Sequence, residues 1–189
     1  MKTDTPSRIE GRLVDLVPVS EEHLDDLLLV HRDEQVCRYL PFRPWNDRSD
    51  AEAWYSRMTR LAMARDAIQL VVCDRSTSRA VGTLVAFRFL VESGLAEVGW
   101  VLGREHWGKG LAADAVRAFL AYAFGPMGAR RIEAGVIAEN AASHRLAARL
   151  GFVREGVQRE RYIKDGVAED LVLYGLLARE YRATTAATG

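Results

Sequence analysis

Glu97-Val98-Gly99-Trp100-Val101-Leu102-Gly103-Arg104-Glu105-His106-Trp107-Gly108-Lys109-Gly110-Leu111-Ala112 is the stretch on which the fold of this chain turns. Leu95 to Leu102 reads as a strand, and a turn holding Gly108 and Gly110 follows. The apolar period then becomes helical, with Ala112, Val116, Phe119, Leu120 and Ala123 on one face and Gly125-Pro126 as the stop. The start of a helix presents unpaired N–H groups and the positive end of its dipole, a ready site for anions. Glycines allow positive φ and a close approach of ligand to backbone, and Lys109 adds charge at the rim. The pattern suits an anion cradle, with pyrophosphate as its natural occupant. A ligand-free strand-to-helix turn would use the same glycines, so the stretch alone leaves both readings open.

A nucleotide hydrolase is a poor match. Gly103-x-x-x-x-Gly108-Lys109-Gly110 follows a Walker A loop until its last position, where Gly110 replaces the hydroxyl residue that Mg²⁺ requires. The strands before it also read as hairpins, not parallel βαβ units. Upstream of the turn, Ile68–Cys73, Ala80–Leu90 and Leu95–Leu102 are separated by Ser76-Thr77-Ser78 and Glu92-Ser93-Gly94. Farther upstream, a strand over Arg12–Val17 stops at Pro18. Ser20 caps a helix reaching His31, with an incomplete capping box because His23 stands at its third position. A proline-punctuated loop, Tyr39 to Trp45, precedes a helix with a full Ser49-x-x-Glu52 box and Trp54, Met58, Leu61 and Ala62 at helical spacing.

Downstream, Arg131–Ala138 reads as a strand. Asn140 caps a helix that ends at Leu150, with Gly151 as its left-handed C′ residue. Two last strands, Val153–Ile163 and Ala168–Leu177, meet at Asp165-Gly166, a strong hairpin signal. The order β-α-α-β-β-β-α-β-α-β-β predicts an α+β fold, a largely antiparallel sheet with helices packed on it.

A length of 189 residues, with 49% apolar and 28% charged, suits one domain, expected over residues 11–180 between a flexible N-terminus (1–10) and a flexible tail (181–189). Zero formal net charge argues against a broad grip on nucleic acid or anionic membrane. Cys37 and Cys73 are too far apart for a C-x-x-C pair and read as small buried hydrophobes. His23, His31, His106 and His144 show no metal spacing, so no metal is expected. A polar start without an apolar stretch points to the cytoplasm.

The Gly108-Lys109-Gly110 turn between strand and helix resembles the acetyl-CoA pyrophosphate loop of the GNAT N-acetyltransferases, in their RimJ/RimL-like branch. Glu97 to Leu102, Asn140 to Ser143, Leu150-Gly151-Phe152 with Glu155-Gly156, and Asp170 to Leu177 fit the same pattern, as do Gly11-Arg12-Leu13 and Arg38-Tyr39-Leu40. The likeness spans roughly residues 10 to 180. The general signature has Gln or Arg three residues before the first glycine, where this chain has Glu105.

The resemblance implies a twisted, mostly antiparallel sheet of about seven strands with helices on both faces. It implies acetyl transfer from acetyl-CoA to a primary amine, on a peptide N-terminus or a small molecule such as an aminoglycoside or polyamine. Pantetheine would lie along Trp100, Val101 and Leu102. The pyrophosphate would sit on the N–H groups of Trp107, Gly108, Lys109, Gly110, Leu111 and Ala112, with Asn140 and Ser143 beside the sulfur and Arg145 and Arg149 near the 3′-phosphate. A backbone N–H near Val101 would stabilise the oxyanion. Glu97 is the first candidate base and Ser143 the candidate proton donor to sulfur. Tyr162, where some relatives use a Glu as base, is a third catalytic candidate, and its two-residue spacing from Glu160 puts both on one face of the strand that lines the acceptor side. Residues 39–47 are candidates for the acceptor pocket. A non-catalytic acyl-CoA-binding module is the alternative, and a homodimer through edge strands is open.

Overall fold

A computed structural model describes residues 1–186, with 183–186 described by backbone alone. Eight strands form one sheet in the order β1-β2-β3-β4-β5-β6-β8-β7. They are β1 (Ile9–Glu10), β2 (Val14–Pro18), β3 (Ala67–Asp74), β4 (Ala80–Leu90), β5 (Leu95–Leu102), β6 (Arg131–Ile137), β7 (Val153–Lys164) and β8 (Val167–Leu177). The helices are α1 (Leu24–His31), α2 (Glu34–Cys37), α3 (Arg48–Met63), α4 (Leu111–Phe124), α5 (Ala141–Arg149) and α6 (Ala178–Ala186). The mixed α/β class and the mostly antiparallel sheet are as expected. The extra strand is β1, which pairs Ile9 with Leu16 and Glu10 with Asp15. Most of the expected tail lies on α6, and residues 187–189 fall outside the described residues.

Among the described residues only β5 and β6 run parallel. Parallel neighbours need a crossover, and α4 supplies it. The face of α4 that carries Val116, Phe119, Leu120 and Ala123 packs against Leu16, Ile68, Leu70 and Leu84. On the opposite face, Leu24 and Leu27 of α1 and Trp54 and Met58 of α3 meet Val71. β3 lies between these layers, so Ala67 to Val72 are buried without alternation. The second cluster takes no residue from β5 to β8.

Local chemistry sets the element ends. Asp47, not Ser49, caps α3: its Oδ1 accepts from the Ser49 N–H at 2.8 Å and from the Ser49 hydroxyl at 2.6 Å. Glu52 pairs with Arg48 at 3.0 Å instead of closing a box. Asp47 and Ser49 offer the same capping chemistry two residues apart, and the earlier one wins. At the first helical turn, His23 does the work expected of Glu, because its Nδ1 accepts the Ser20 N–H at 3.2 Å. Asp165 and Gly166 both take positive φ, 49° and 82°, as a two-residue hairpin turn requires.

Candidate active site

The parallel pairing of β5 with β6 lasts three residues: Leu95 with Arg131, Ala96 with Ile132, Glu97 with Glu133. Beyond Glu97 the strands part, β5 staying with β4 and β6 with β8. The Val98 N–H closes the parallel ladder on β6, and beyond it an opening results in mid-sheet, which the edge of β5 from Gly99 to Leu102 faces without a β6 partner.

The register decides which backbone groups face that opening. The Gly103 N–H donates to the Val81 carbonyl at 2.9 Å, in line with the pairs Val101–Thr83 and Gly99–Val85. Hydrogen-bonded pairs alternate along an antiparallel ladder. Gly99 and Val101 therefore turn their polar groups to β4, while Trp100 and Leu102 turn theirs to the opening. A Cβ on Gly82 would lie 2.2 Å from the Val101 carbonyl oxygen, which places that oxygen on the β4 side. The N–H of Val101 thus faces β4, and the amides on either side of it, those of Trp100 and Leu102, face the opening. Side-chain alternation gives no sign of this, because it does not reveal which strand each amide meets.

The glycine turn lies at the end of β5. Gly108 and Gly110 have φ of 74° and 81°, and Gly110 caps α4 without a side-chain acceptor. A Cβ on Gly108 would meet nothing within 4 Å, and one on Gly110 only Leu13 Cδ1 at 3.8 Å. Backbone conformation, not crowding, therefore requires glycine here. The Trp107 N–H is already committed to the Arg104 carbonyl at 3.1 Å, and its indole donates to the Leu102 carbonyl at 2.7 Å. The free donors of the turn therefore run from Gly108 through Lys109, Gly110, Leu111 and Ala112.

A buried carboxylate braces this turn. Asp114 Oδ2 accepts the N–H of Leu13 at 2.7 Å and of Val14 at 3.2 Å. A Cβ on Gly11 would fall 2.5 Å from the same oxygen. Asp114 was not among the sequence candidates, although an aspartate flanked by alanines on an apolar helix was a visible signal.

Asn140 and Ser143 occupy the start of α5, just past the end of β6. The Asn140 Oδ1 accepts the Ser143 N–H at 3.1 Å, and the Ser143 hydroxyl has no protein partner among the described residues. His144 anchors this corner. Its Nε2 lies 3.1 Å from the Ile137 carbonyl and 3.0 Å from that of Ala138, and its Nδ1 lies 2.8 Å from the Tyr174 hydroxyl. Carbonyls only accept, so this pattern assigns the proton to Nε2 and makes Nδ1 the acceptor of the Tyr174 hydroxyl. Arg145 and Arg149 are exposed.

Glu97 marks the point where the strands divide. Its Oε2 accepts from Arg88 Nη1 at 2.7 Å, and its side chain is 13% exposed. The Arg88 guanidinium is held more firmly in its charged form, first by the charge of Glu97 and further by Tyr162. Glu97 and Tyr162 thus meet through Arg88, which sits at a bulge with φ of 52° and had no sequence signature. Glu160 does not alternate with Tyr162. Between Gln158–Leu171 and Tyr162–Glu169, β7 spends four residues against two of β8. Glu160 takes φ of 49° and donates its N–H to Asp170 Oδ1 at 2.8 Å. Alternation fails across such a bulge.

The 39–47 loop reaches the same region. Tyr39 donates to the Glu139 carbonyl at 3.2 Å, and Arg43 pairs with Asp165 at 2.8 Å. Lys164 Nζ donates to the carbonyls of Arg38 and Leu40, both at 2.9 Å, and to that of Cys37.

Residues 13–153 match the family model described as the acetyltransferase (GNAT) domain. The chain belongs to the GNAT N-acetyltransferases. It is an acyltransferase of a family that uses acetyl-CoA. This GNAT chain is 34% identical over 160 residues to the uncharacterised N-acetyltransferase p20 of Bacillus licheniformis, covering 85% of this chain and 90% of that one. It is 33% identical over 84 residues to the ribosomal protein uS5 alanine N-acetyltransferase of Escherichia coli, covering 44% and 43%. A GCN5-related N-acetyltransferase from Brucella melitensis superposes with a TM-score of 0.86 at 27% identity, covering 98% of this chain and 87% of that one. Among the described residues no helix is long and apolar enough to cross a membrane, and no group of three or more His, Cys, Asp or Glu can hold a metal.

Proposed function

We propose that this chain, through one unit over residues 11–180, transfers the acetyl group of acetyl-CoA directly to a primary amine. The observation that carries the proposal is the bare β5 edge opening beside the uncapped start of α4. The free N–H of Trp100 suits an amide of pantetheine or a developing oxyanion, with Trp100, Val101 and Leu102 as the wall. The donors from Gly108 to Ala112 suit a pyrophosphate, with Lys109 and Trp107 at the rim. Asn140 shapes the corner that presents Ser143.

In the reaction a C–N bond forms as the C–S bond breaks. The thioester is already activated, so orientation supplies much of the rate. Glu97 is the proposed base for the amine proton, directly or through water, and Arg88 fixes its position and that of Tyr162. The free hydroxyl of Ser143 is the proposed donor to the departing thiolate, whose thiol has an ordinary pKa of roughly 8.5. A peptide N-terminus is the favoured acceptor. The Escherichia coli relative is named for acting on a ribosomal protein, and the 39–47 loop reaches the opening from the β7–β8 side. The setting is the cytoplasm.

Calorimetry with acetyl-CoA, using Mg-ATP as control, tests the first half. One acetyl-CoA per chain is expected, with affinity lost in Gly110→Val. No binding, or a preference for ATP, overturns the proposal. Thiol release across a panel of amines tests the second half, and binding without release for every amine would make the chain a non-catalytic module. Glu97→Gln is expected to lower kcat at least about a hundredfold while leaving acetyl-CoA affinity unchanged.

A further inference from the structure

A lysine ammonium has three N–H donors, and the strap between α2 and α3 takes all three from Lys164. They go to the carbonyls of Arg38 and Leu40, both at 2.9 Å, and to that of Cys37. Such carbonyls are left over where a helix ends, as α2 does at Cys37. The core grips the strap at its two ends and not between them. Val36 and Cys37 are buried at one end. At the other Trp45 is buried, with its N–H on the His31 carbonyl at 3.0 Å and its ring centroid 4.3 Å from that of His31. No residue from Arg38 to Pro44 is buried. The other ties of this stretch are slight: Tyr39 makes one 3.2 Å hydrogen bond to the Glu139 carbonyl, and Arg43 pairs with Asp165 in the open. Lys164 is half-buried and its hydrogen bonds are charge-assisted, so it is the clasp of the strap.

The clasp lies on the face where Glu97 marks the parting of the strands. Past the Glu160 bulge, β7 pairs regularly with β8 from Tyr162 to Lys164, so these two side chains share a face. Tyr162 meets Arg88, and Arg88 holds Glu97. From Lys164 the strap reaches across to Glu139, next to the Asn140 cap of α5. The floor beneath it is bare. The next residues on the face of Glu97 and its partner Glu133 are Gly99 on β5 and Gly135 on β6. A Cβ on Gly135 would lie 3.3 Å from Glu97 Oε1, so the carboxylate occupies the space that this glycine leaves. We infer that Lys164 is a positioning residue for acetyl transfer: by holding Cys37, Arg38 and Leu40 it fixes the roof of the passage through which the acceptor amine reaches Glu97. The inference rests on the transfer reading above. With all three donors spent on carbonyls, Lys164 has none left for substrate and acts through the strap.

Lys164→Met removes the donors and keeps the length of the side chain, while Lys164→Arg keeps the charge. Trypsin reports on the strap itself, because Arg38 is exposed on it. Cleavage after Arg38 should be about tenfold faster in Lys164→Met than in the wild type, as the loss of charge-assisted hydrogen bonds would give, and should slow again in Lys164→Arg. Thiol release with a short peptide bearing a free N-terminus reports on the acceptor. Lys164→Met should raise the KM for that peptide about tenfold and change kcat less than about threefold. Its acetyl-CoA affinity by calorimetry should not move, which separates lost positioning from lost folding. Lys164→Arg should recover part of the KM, and Arg43→Gln, which breaks only the exposed pair, should move it less than about twofold. Unchanged cleavage in Lys164→Met overturns the clasp. Faster cleavage with an unchanged peptide KM overturns its role toward the acceptor, and so does a loss confined to kcat or shared with acetyl-CoA binding. If the wild type transfers to no peptide, the transfer reading fails and takes that role with it, while faster cleavage would still establish the clasp.

Discussion

β3 and β7 belong to the same sheet yet are held by different forces. Every residue of β3 from Ala67 to Val72 is buried between two helical layers. Nearly all of β7 is exposed at the sheet edge, including Val153, Val157 and Ile163. Near β3, apolar packing sets the structure. Around β7 the structure rests on a turn, a bulge and ion pairs such as Arg131 with Glu155 and Glu133. The proposed site sits on the seam, with its backbone donors on the packed half and its acceptor wall on the half that packing constrains least.

Core truncation is the strongest way to break this contrast. Phe119→Ala should cost about 3–5 kcal/mol in urea unfolding, because a fully buried ring leaves a cavity. Val157→Ala on β7 should stay within about 0.5 kcal/mol. Comparable losses at the two positions would erase the distinction.

The packed half should also show its character in acid. Burial alone pushes His31 down to about 4, and neither of its nitrogens has a partner beside Trp45 and Phe42. In the unfolded chain the same imidazole titrates near its ordinary 6.5. Between these values the unfolded state binds the extra proton, so stability is full above 6.5 and falls as pH drops toward 4. The loss approaches about 3 kcal/mol, and His31→Leu should remove that part of the slope in unfolding measured from pH 7 to 4.5. Identical slopes in the two proteins would refute the assignment.

At the seam, Asp114→Ala leaves two backbone donors without their acceptor. It should cost about 2 kcal/mol and weaken acetyl-CoA binding as the glycine turn loosens. A smaller effect than at Asp114 is expected at the corner that His144 anchors. Tyr174→Phe removes the hydroxyl that His144 accepts, for about 1 kcal/mol in a melting curve, and should raise KM more than it lowers kcat. A change confined to kcat would place Tyr174 in the chemistry itself.

The same division governs what could be read from sequence. Asn140 as a cap, Gly151 at φ of 87° and Asp165-Gly166 as a hairpin were all legible, because each is a local backbone requirement carried by one or two residues. The glycine turn was legible for the same reason. The cap of α3 was misread because Asp47 and Ser49 offer the same chemistry two residues apart. Three features of the site had no local signature. Arg88 between Glu97 and Tyr162, the bulge that carries Glu160, and the amides facing the opening all depend on register between strands distant in sequence.

The parting of β5 from β6 after Glu97 has a consequence for solvent exchange. The amides of Trp100 and Leu102 lie in the middle of an eight-stranded sheet, yet they have no neighbouring strand to shield them. They should trade their hydrogens for deuterium as quickly as amides on an outer edge, while those of Gly99 and Val101, which bond to β4, stay protected. An alternating fast-slow pattern along one interior strand would then map the gap residue by residue.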